Sequence, residues 1–335
     1  MNGSVQAQIK KEAKPVEKKR KFEVIIIGSG PAGYTAAIYT ARAKLDTLIF
    51  SGILPGGQLM LTTEVENYPG FSDGIFGPEL MTIMRNQTER MGATIVDDEV
   101  VNVDFKHKPF KVLTPSEEYE ADAVIICTGA TPRKIGAKGE HEFGGKGVSY
   151  CATCDGPFFR NQEIVVTGGG DTAMEEAIFL TKFGKNIHVV HRRDKLRASK
   201  VMQERAFENP KIRFHWNKVV DEIKGADKVN QVIIKDMVTN ERKALDVGAI
   251  FVAIGHEPNT KLFKGQVELD DQGYIKLREN TKTSVEGVFA AGDVHDHRYR
   301  QAVTAAGFGC MAGIDVDKYL SEIKKSNYRM ETSDR

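Results

Sequence analysis

Several things are scarce in this 335-residue chain, and each scarcity closes off a class of protein. There are only four cysteines, too few to staple a small secreted scaffold together. No apolar run approaches the roughly 20 residues that a membrane helix needs. Neither sign of charge is in excess: 47 Lys+Arg against 46 Asp+Glu leave a formal net charge of +1. A field that weak argues against nucleic acid or a membrane surface as partner. The N-terminus lacks both the apolar core of a secretory signal and the acid-poor, Ser/Arg-rich make-up of a transit peptide.

What remains is ordinary for a globular protein, with 41% apolar and 28% charged residues. At about 150 residues per domain the length favours two domains. Residues 1–21 stand apart. Lys10, Lys11, Lys14, Lys18, Lys19, Arg20 and Lys21 outnumber Glu12 and Glu17 there, as expected of a disordered, solvated tail. The alternative is an address signal in the basic run 18–21.

Two glycine-rich loops carry the first chemical signal. They are Gly28-Ser29-Gly30-Pro31-Ala32-Gly33 and Gly168-Gly169-Gly170-Asp171-Thr172-Ala173. The first follows an apolar strand at 22–27 and opens a helix at 34–43, with the next strand at 47–50. The second follows a strand at 163–167 and opens a helix at 173–183, with the next strand at 187–190. A glycine loop placed this way in a βαβ unit is a dinucleotide fingerprint: the helix N-terminus offers N–H groups to a pyrophosphate. The first unit has no acid at the end of its second strand, Ile49-Phe50-Ser51-Gly52, so Ser51 or backbone must hold a ribose there. That omission weakens the case for NAD at the first loop. The second unit ends in His191-Arg192-Arg193, followed by Arg197. A basic cluster at that point suits an adenosine 2′-phosphate, which guanidinium groups bind as forks. NADPH is therefore expected over NADH.

Between the loops lies Cys151-Ala152-Thr153-Cys154, followed by Asp155. Half a zinc site would need two further ligands, and there is no second Cys-x-x-Cys to supply them. As a redox pair, the spacing brings two sulfurs within bonding reach and lowers one thiol's pKa. Asp155 is placed to exchange the proton that dithiol chemistry requires, and also reads as a turn residue before Gly156-Pro157. Phe158 and Phe159 either grip a protein partner or fill core. Cys127 and Cys310 read as inert core thiols.

Gly129-Ala130-Thr131-Pro132 and Gly255-His256-Glu257-Pro258 are matching breaks, each ending an apolar strand. Read as the two linkers, they make the middle of the chain an insertion. The expected fold is α/β, with two Rossmann-like dinucleotide-binding domains. The second nucleotide domain (134–261), carrying Cys151 and Cys154 and expected to take NADPH, is inserted into a discontinuous first domain (22–133 and 262–325), and a polar tail follows residue 324; the resemblance named below makes the first domain the FAD-binding one. A last strand, 288–293, ends in Gly292-Asp293 ahead of the small-residue helix begun by Arg300-Gln301-Ala302.

Together these segments, with Gly56-Gly57-Gln58-Leu59 and Thr63-Glu64-Val65-Glu66-Asn67-Tyr68-Pro69-Gly70, closely resemble the low-molecular-weight, NADPH- and FAD-dependent thioredoxin reductases over residues 22–319. The Cys-Ala-Thr-Cys-Asp segment is highly specific. The resemblance implies FAD at Gly28, Ser29, Gly30, Pro31, Ala32, Gly33, Ile53, Leu54, Gln58, Asn67, Val100, Gly292, Asp293, Arg300, Gln301 and Ala302, with Cys154 facing the flavin. It implies NADPH at Gly168, Gly169, Gly170, Asp171, Thr172, Ala173, His191, Arg192, Arg193 and Arg197. Cys151 would be the interchange thiol. Ser51 departs from those members that carry an acid, which touches only the FAD ribose contact.

The implied reaction passes a hydride from NADPH to FAD, then electrons to the Cys151–Cys154 disulfide, then to oxidised thioredoxin. A cytoplasmic homodimer is implied, with no metal. Dithiol and nicotinamide ride on one unit, and each must reach the flavin. A rotation about the two Gly-x-x-Pro crossings is therefore expected. The competing readings are a reductase of another disulfide substrate, a ferredoxin-linked flavoprotein and a non-enzymatic nucleotide sensor. Arg192, Arg193 and Arg197 argue against the second of these, and the dithiol against the third.

Overall fold

The computed structural model describes residues 20–333. The expected tail therefore lies outside the described residues up to residue 19, whereas Lys21 already belongs to the first strand, Lys21–Ile27. That strand is the centre of a seven-stranded sheet. It pairs in parallel with Thr47–Phe50 on one side and Glu118–Ile126 on the other. Val24, Ile25 and Ile26 are fully buried, as a parallel strand covered on both faces requires. Each such side chain contributes roughly 1.5–3 kcal/mol of hydrophobic stabilisation. Helix Pro31–Arg42 starts inside the glycine loop, three residues before the expected 34, with proline in its first turn, where no N–H is missed.

Strand Glu118–Ile126 joins distant pieces of chain. Its first half pairs antiparallel with Phe110–Leu113, and its second half pairs parallel with Val288–Ala290. A strand from near the C-terminus thus completes the sheet begun at residue 21. Helix Ala302–Ser333 then packs on Pro31–Arg42. Gly309 permits this close approach, because a Cβ there would stand 2.2 Å from the Ala32 carbonyl oxygen. The helix runs on through the polar residues after 324, since 325–333 contain neither glycine nor proline to stop it.

The middle of the chain forms a second, five-stranded sheet, all parallel. Its order is Val148–Ser149, Ala249–Val252, Glu163–Thr167, Asn186–Val190, Ile212–His215. An antiparallel three-stranded sheet (Lys218–Gly225, Val229–Asp236, Arg242–Asp246) sits beside it. Helix Asp171–Leu180 begins two residues earlier and ends three earlier than the 173–183 expected from sequence, because the carbonyls of Ile178, Phe179 and Leu180 are used in a closing turn through Gly184.

The two Gly-x-x-Pro breaks meet. Ala130–Pro132 and His256–Pro258 pair antiparallel as a two-stranded ribbon between the two large sheets. Asn259 fastens it. Its side-chain N–H donates to the Thr128 carbonyl at 2.8 Å, and its side-chain oxygen accepts from the Thr131 hydroxyl at 3.0 Å.

Candidate active site

The first glycine loop lines a cavity of about 1040 Å³. Gly28, Ser29, Gly30, Pro31 and Ala32 form one wall, and Ile53, Leu54, Gln58 and Val100 another. Asp293, Arg300, Gln301 and Ala302 close it from the C-terminal side. Gly33 and Gly292, which the resemblance places at the FAD, do not line the cavity but support its wall from behind. A Cβ on Gly33 would lie 1.8 Å from the Gly28 carbonyl oxygen, and one on Gly292 would lie 2.9 Å from the Ala32 Cβ. The Ser51 hydroxyl donates to Asp97 at 2.8 Å, and Asp97 is held by a bidentate pair with Arg85 at 2.7 and 2.9 Å. The strand end has no acid, but a carboxylate that sequence reasoning did not find stands nearby. Glu99, from the neighbouring strand's exit, lines the cavity.

Cys151 and Cys154 are joined as a disulfide, with Cα atoms 5.3 Å apart. Cys151 caps the short helix Ala152–Asp155, its sulfur accepting the Cys154 backbone N–H at 3.2 Å. Gln301 brings this unit to the cavity. Its side-chain Nε2 lies 3.7 Å from the Cys151 sulfur, 3.9 Å from that of Cys154 and 3.2 Å from the Thr153 hydroxyl. The Asn67 side chain donates to Gln301 Oε1 at 3.1 Å, so Asn67 reaches the site through Gln301. Asp155 is largely buried, and burial pushes its carboxyl above the usual range while Ser149 pulls the other way. The following pair divides: Phe159 packs edge-on to Phe251 in the core, and Phe158 remains 37% exposed.

At the second loop the predicted residues divide between surface and support. Arg192, Arg193 and Arg197 are exposed, and none of their guanidinium groups is in an ion pair among the described residues. Backbone bonds fix the segment that bears them: the Gly169 carbonyl accepts from Arg197 and Ala198 at 2.7 and 3.1 Å, and the Arg193 carbonyl accepts from Asn217 at 3.2 Å. His191 lies beneath. Its ring is buried against Gly169, where a Cβ would come within 2.2 Å of it, and its Nε2 meets the Lys195 carbonyl at 3.1 Å. Burial first, then the neighbouring cations, hold its pKa below the ordinary value. The Asp171 carboxylate is engaged by the Ser199 N–H and hydroxyl at 2.8 and 2.7 Å. Gly168 and Ala173 pack together, Gly170 has nothing within 4 Å of a Cβ position, and Thr172 is half-buried. Neither engagement of Asp171 nor burial of His191 has a signature in local sequence.

Residues 22–309 match the family described as pyridine nucleotide-disulphide oxidoreductase. A thioredoxin reductase of Streptomyces clavuligerus is 55% identical over 90% of this chain and 95% of its own. The chain belongs to this family, as a low-molecular-weight thioredoxin reductase. A solved thioredoxin reductase from Giardia duodenalis superposes with a TM-score of 0.87 at 45% identity, covering 90% of the reductase and all of the other chain. One from Lactococcus lactis, described as the FR conformation, gives 0.61 at 44% identity, covering 90% and 99%.

The cavity of this reductase has the chemistry to hold a flavin dinucleotide. Gly30 has nothing within 4 Å of a Cβ position, which leaves loop backbone open to a phosphate at a helix N-terminus. Asp293 Oδ1 is buried with no hydrogen-bond partner among the described residues, and burial pushes that carboxyl up to about 7 against the pull of Arg300. A hydroxyl donor from a ligand would satisfy it.

Proposed function

We propose that the chain reduces the disulfide of thioredoxin at the expense of NADPH, using FAD held in the cavity. The contact that carries this reading is Gln301, which lines the cavity and touches both sulfurs. When bound, FAD accepts a hydride from NADPH and delivers an electron pair to a disulfide.

The chain's own residues do the rest. The 29–32 backbone at the helix N-terminus holds the FAD pyrophosphate, Asp293 accepts a cofactor hydroxyl, and Glu99 takes the ribose. Gln301 keeps the Cys151–Cys154 pair against the cavity, with Cys154 on the flavin side. Arg192, Arg193 and Arg197 grip the NADPH 2′-phosphate, and His191 and Asp171 keep their segment in place. Once the pair is reduced, the Cys154 N–H that reaches the Cys151 sulfur favours a Cys151 thiolate. That thiolate attacks one sulfur of the thioredoxin disulfide and expels the other. Cys154 then attacks the Cys151 sulfur, which releases thioredoxin as a dithiol and re-forms the internal disulfide. Asp155, whose proton is held more tightly than usual, protonates a departing thiolate.

The division into an FAD unit (22–133 with 262–325) and an inserted NADPH unit (134–261) accounts for the paired ribbon at 130–132 and 256–258. Rotation of one unit against the other about that ribbon would expose Cys151. The lower TM-score of the Lactococcus structure, at nearly the same identity and coverage as the Giardia one, supports such a movement. Exposed Tyr39, Val303, Met311 and Ile314 on the two packed helices support a homodimer. No described helix is long and apolar enough to cross a membrane, and a cytoplasmic setting accords with a dithiol that cycles. Anaerobic addition of NADPH should bleach the flavin absorbance, and thioredoxin added next should restore it. Bleaching with no thioredoxin dithiol formed would defeat the assignment.

A further inference from the structure

The dithiol helix is joined to a second surface element that the reaction above does not use. The turn after the helix is hydrogen-bonded to the turn that closes Asp171–Leu180. Asn161 donates to the Phe183 carbonyl at 2.9 Å, and Lys185 donates to the Gln162 carbonyl at 2.8 Å. Gly156, two residues beyond Cys154, abuts both Leu180 and Phe183, at 3.0 and 3.4 Å from its Cβ position.

Exposed cations gather along this seam. The Arg160 guanidinium lies over the Phe183 ring, 5.3 Å from its centre, and the Lys182 ammonium lies 4.9 Å from the centre of the Phe179 ring. The two rings meet edge to face at 5.5 Å. Lys211 caps the same turn through the carbonyls of Thr181 and Gly184. The acid of this seam, Glu163, already serves Lys185, Asn186 and His188. Among the described residues neither Arg160 nor Lys182 has an acidic partner.

We propose that this cationic, aromatic shoulder is a docking surface for an acidic face of the disulfide protein that Cys151 attacks. The proposal rests on the thioredoxin-reductase reading. A protein partner of ordinary size covers about 800 Å² of each surface. A footprint that brings its disulfide to Cys151 therefore extends past Gly156 onto the shoulder. The rings hold the two cations in place before the partner arrives, which lowers the entropy lost on contact. Charges at such a rim act mainly on association rate and its salt dependence.

The test compares R160E, K182E and the double variant with wild type and with the charge-keeping variants R160K and K182R. Thioredoxin reduction is measured from low to high salt, and NADPH-driven ferricyanide reduction reports the flavin step alone. Each charge reversal should lower kcat/KM for thioredoxin about tenfold at low salt, mostly through KM, and flatten its salt dependence. Ferricyanide turnover should stay at the wild-type rate, and R160K and K182R should match wild type in both assays. Unchanged kcat/KM for thioredoxin in the double variant would overturn the shoulder's role alone. A wild-type enzyme that leaves thioredoxin oxidised would overturn both the shoulder and the reading beneath it.

Discussion

Gln301 is the residue on which the site closes, and its amide reaches both sulfurs and Asn67 at once. Gln301→Leu keeps the volume and removes the polar contacts. Stopped-flow reduction of the internal disulfide should slow about tenfold, the loss of roughly one hydrogen bond's worth of positioning. Glu176 offers a second residue-scale test. It is half-buried, with one buried oxygen lacking a hydrogen-bond partner among the described residues, and burial raises its carboxyl from 4.5 to about 8 despite Arg300. The folded state therefore keeps a proton that the unfolded chain releases. The resulting stability is full below about pH 4.5 and is lost as pH rises towards 8. Glu176→Gln should be more stable than wild type at pH 9 by about 2–4 kcal/mol and show no such advantage at pH 4, as read by chemical denaturation. Sequence reasoning picked out Gln301 for the cavity but not for the sulfurs, because 150 residues separate it from Cys151. It passed over Glu176 because a Glu-Glu pair in a helix looks like a solvated face.

At the scale of elements, the two glycine loops and their strands were legible, since each local segment carries its own punctuation and apolar pattern. The parts that were not legible depend on which elements become neighbours. Glu99 reaches the cavity only because Thr94–Val96 lies beside Thr47–Phe50. His191 turns inward only because Gly169 leaves room for its ring. Gly33→Ala should drive a methyl into the Gly28 carbonyl and push the loop off its course, costing about 1–3 kcal/mol. The purified variant should show well under half the wild-type ratio of flavin to protein absorbance. Replacing Arg192, Arg193 and Arg197 by Ala should raise KM for NADPH at least about tenfold and leave KM for NADH within about twofold. An equal loss with both nucleotides would contradict a 2′-phosphate role.

For the molecule as a whole, the two short breaks were legible as strand exits, but their pairing was not, because nothing in either break names its partner. Cross-linking the two sheet-bearing units across their interface should abolish repeated thioredoxin reduction while both nucleotides still bind. Undiminished steady-state turnover would show that no swivel is needed. The ribbon at Ala130–Pro132 and His256–Pro258 also limits what sort of motion is available. Two strands laced side by side yield to torsion far more readily than to extension, so the rotation proposed above would turn the halves as on a single pin without parting them. On that rotation, the partner protein would arrive from the flank that the pivot uncovers.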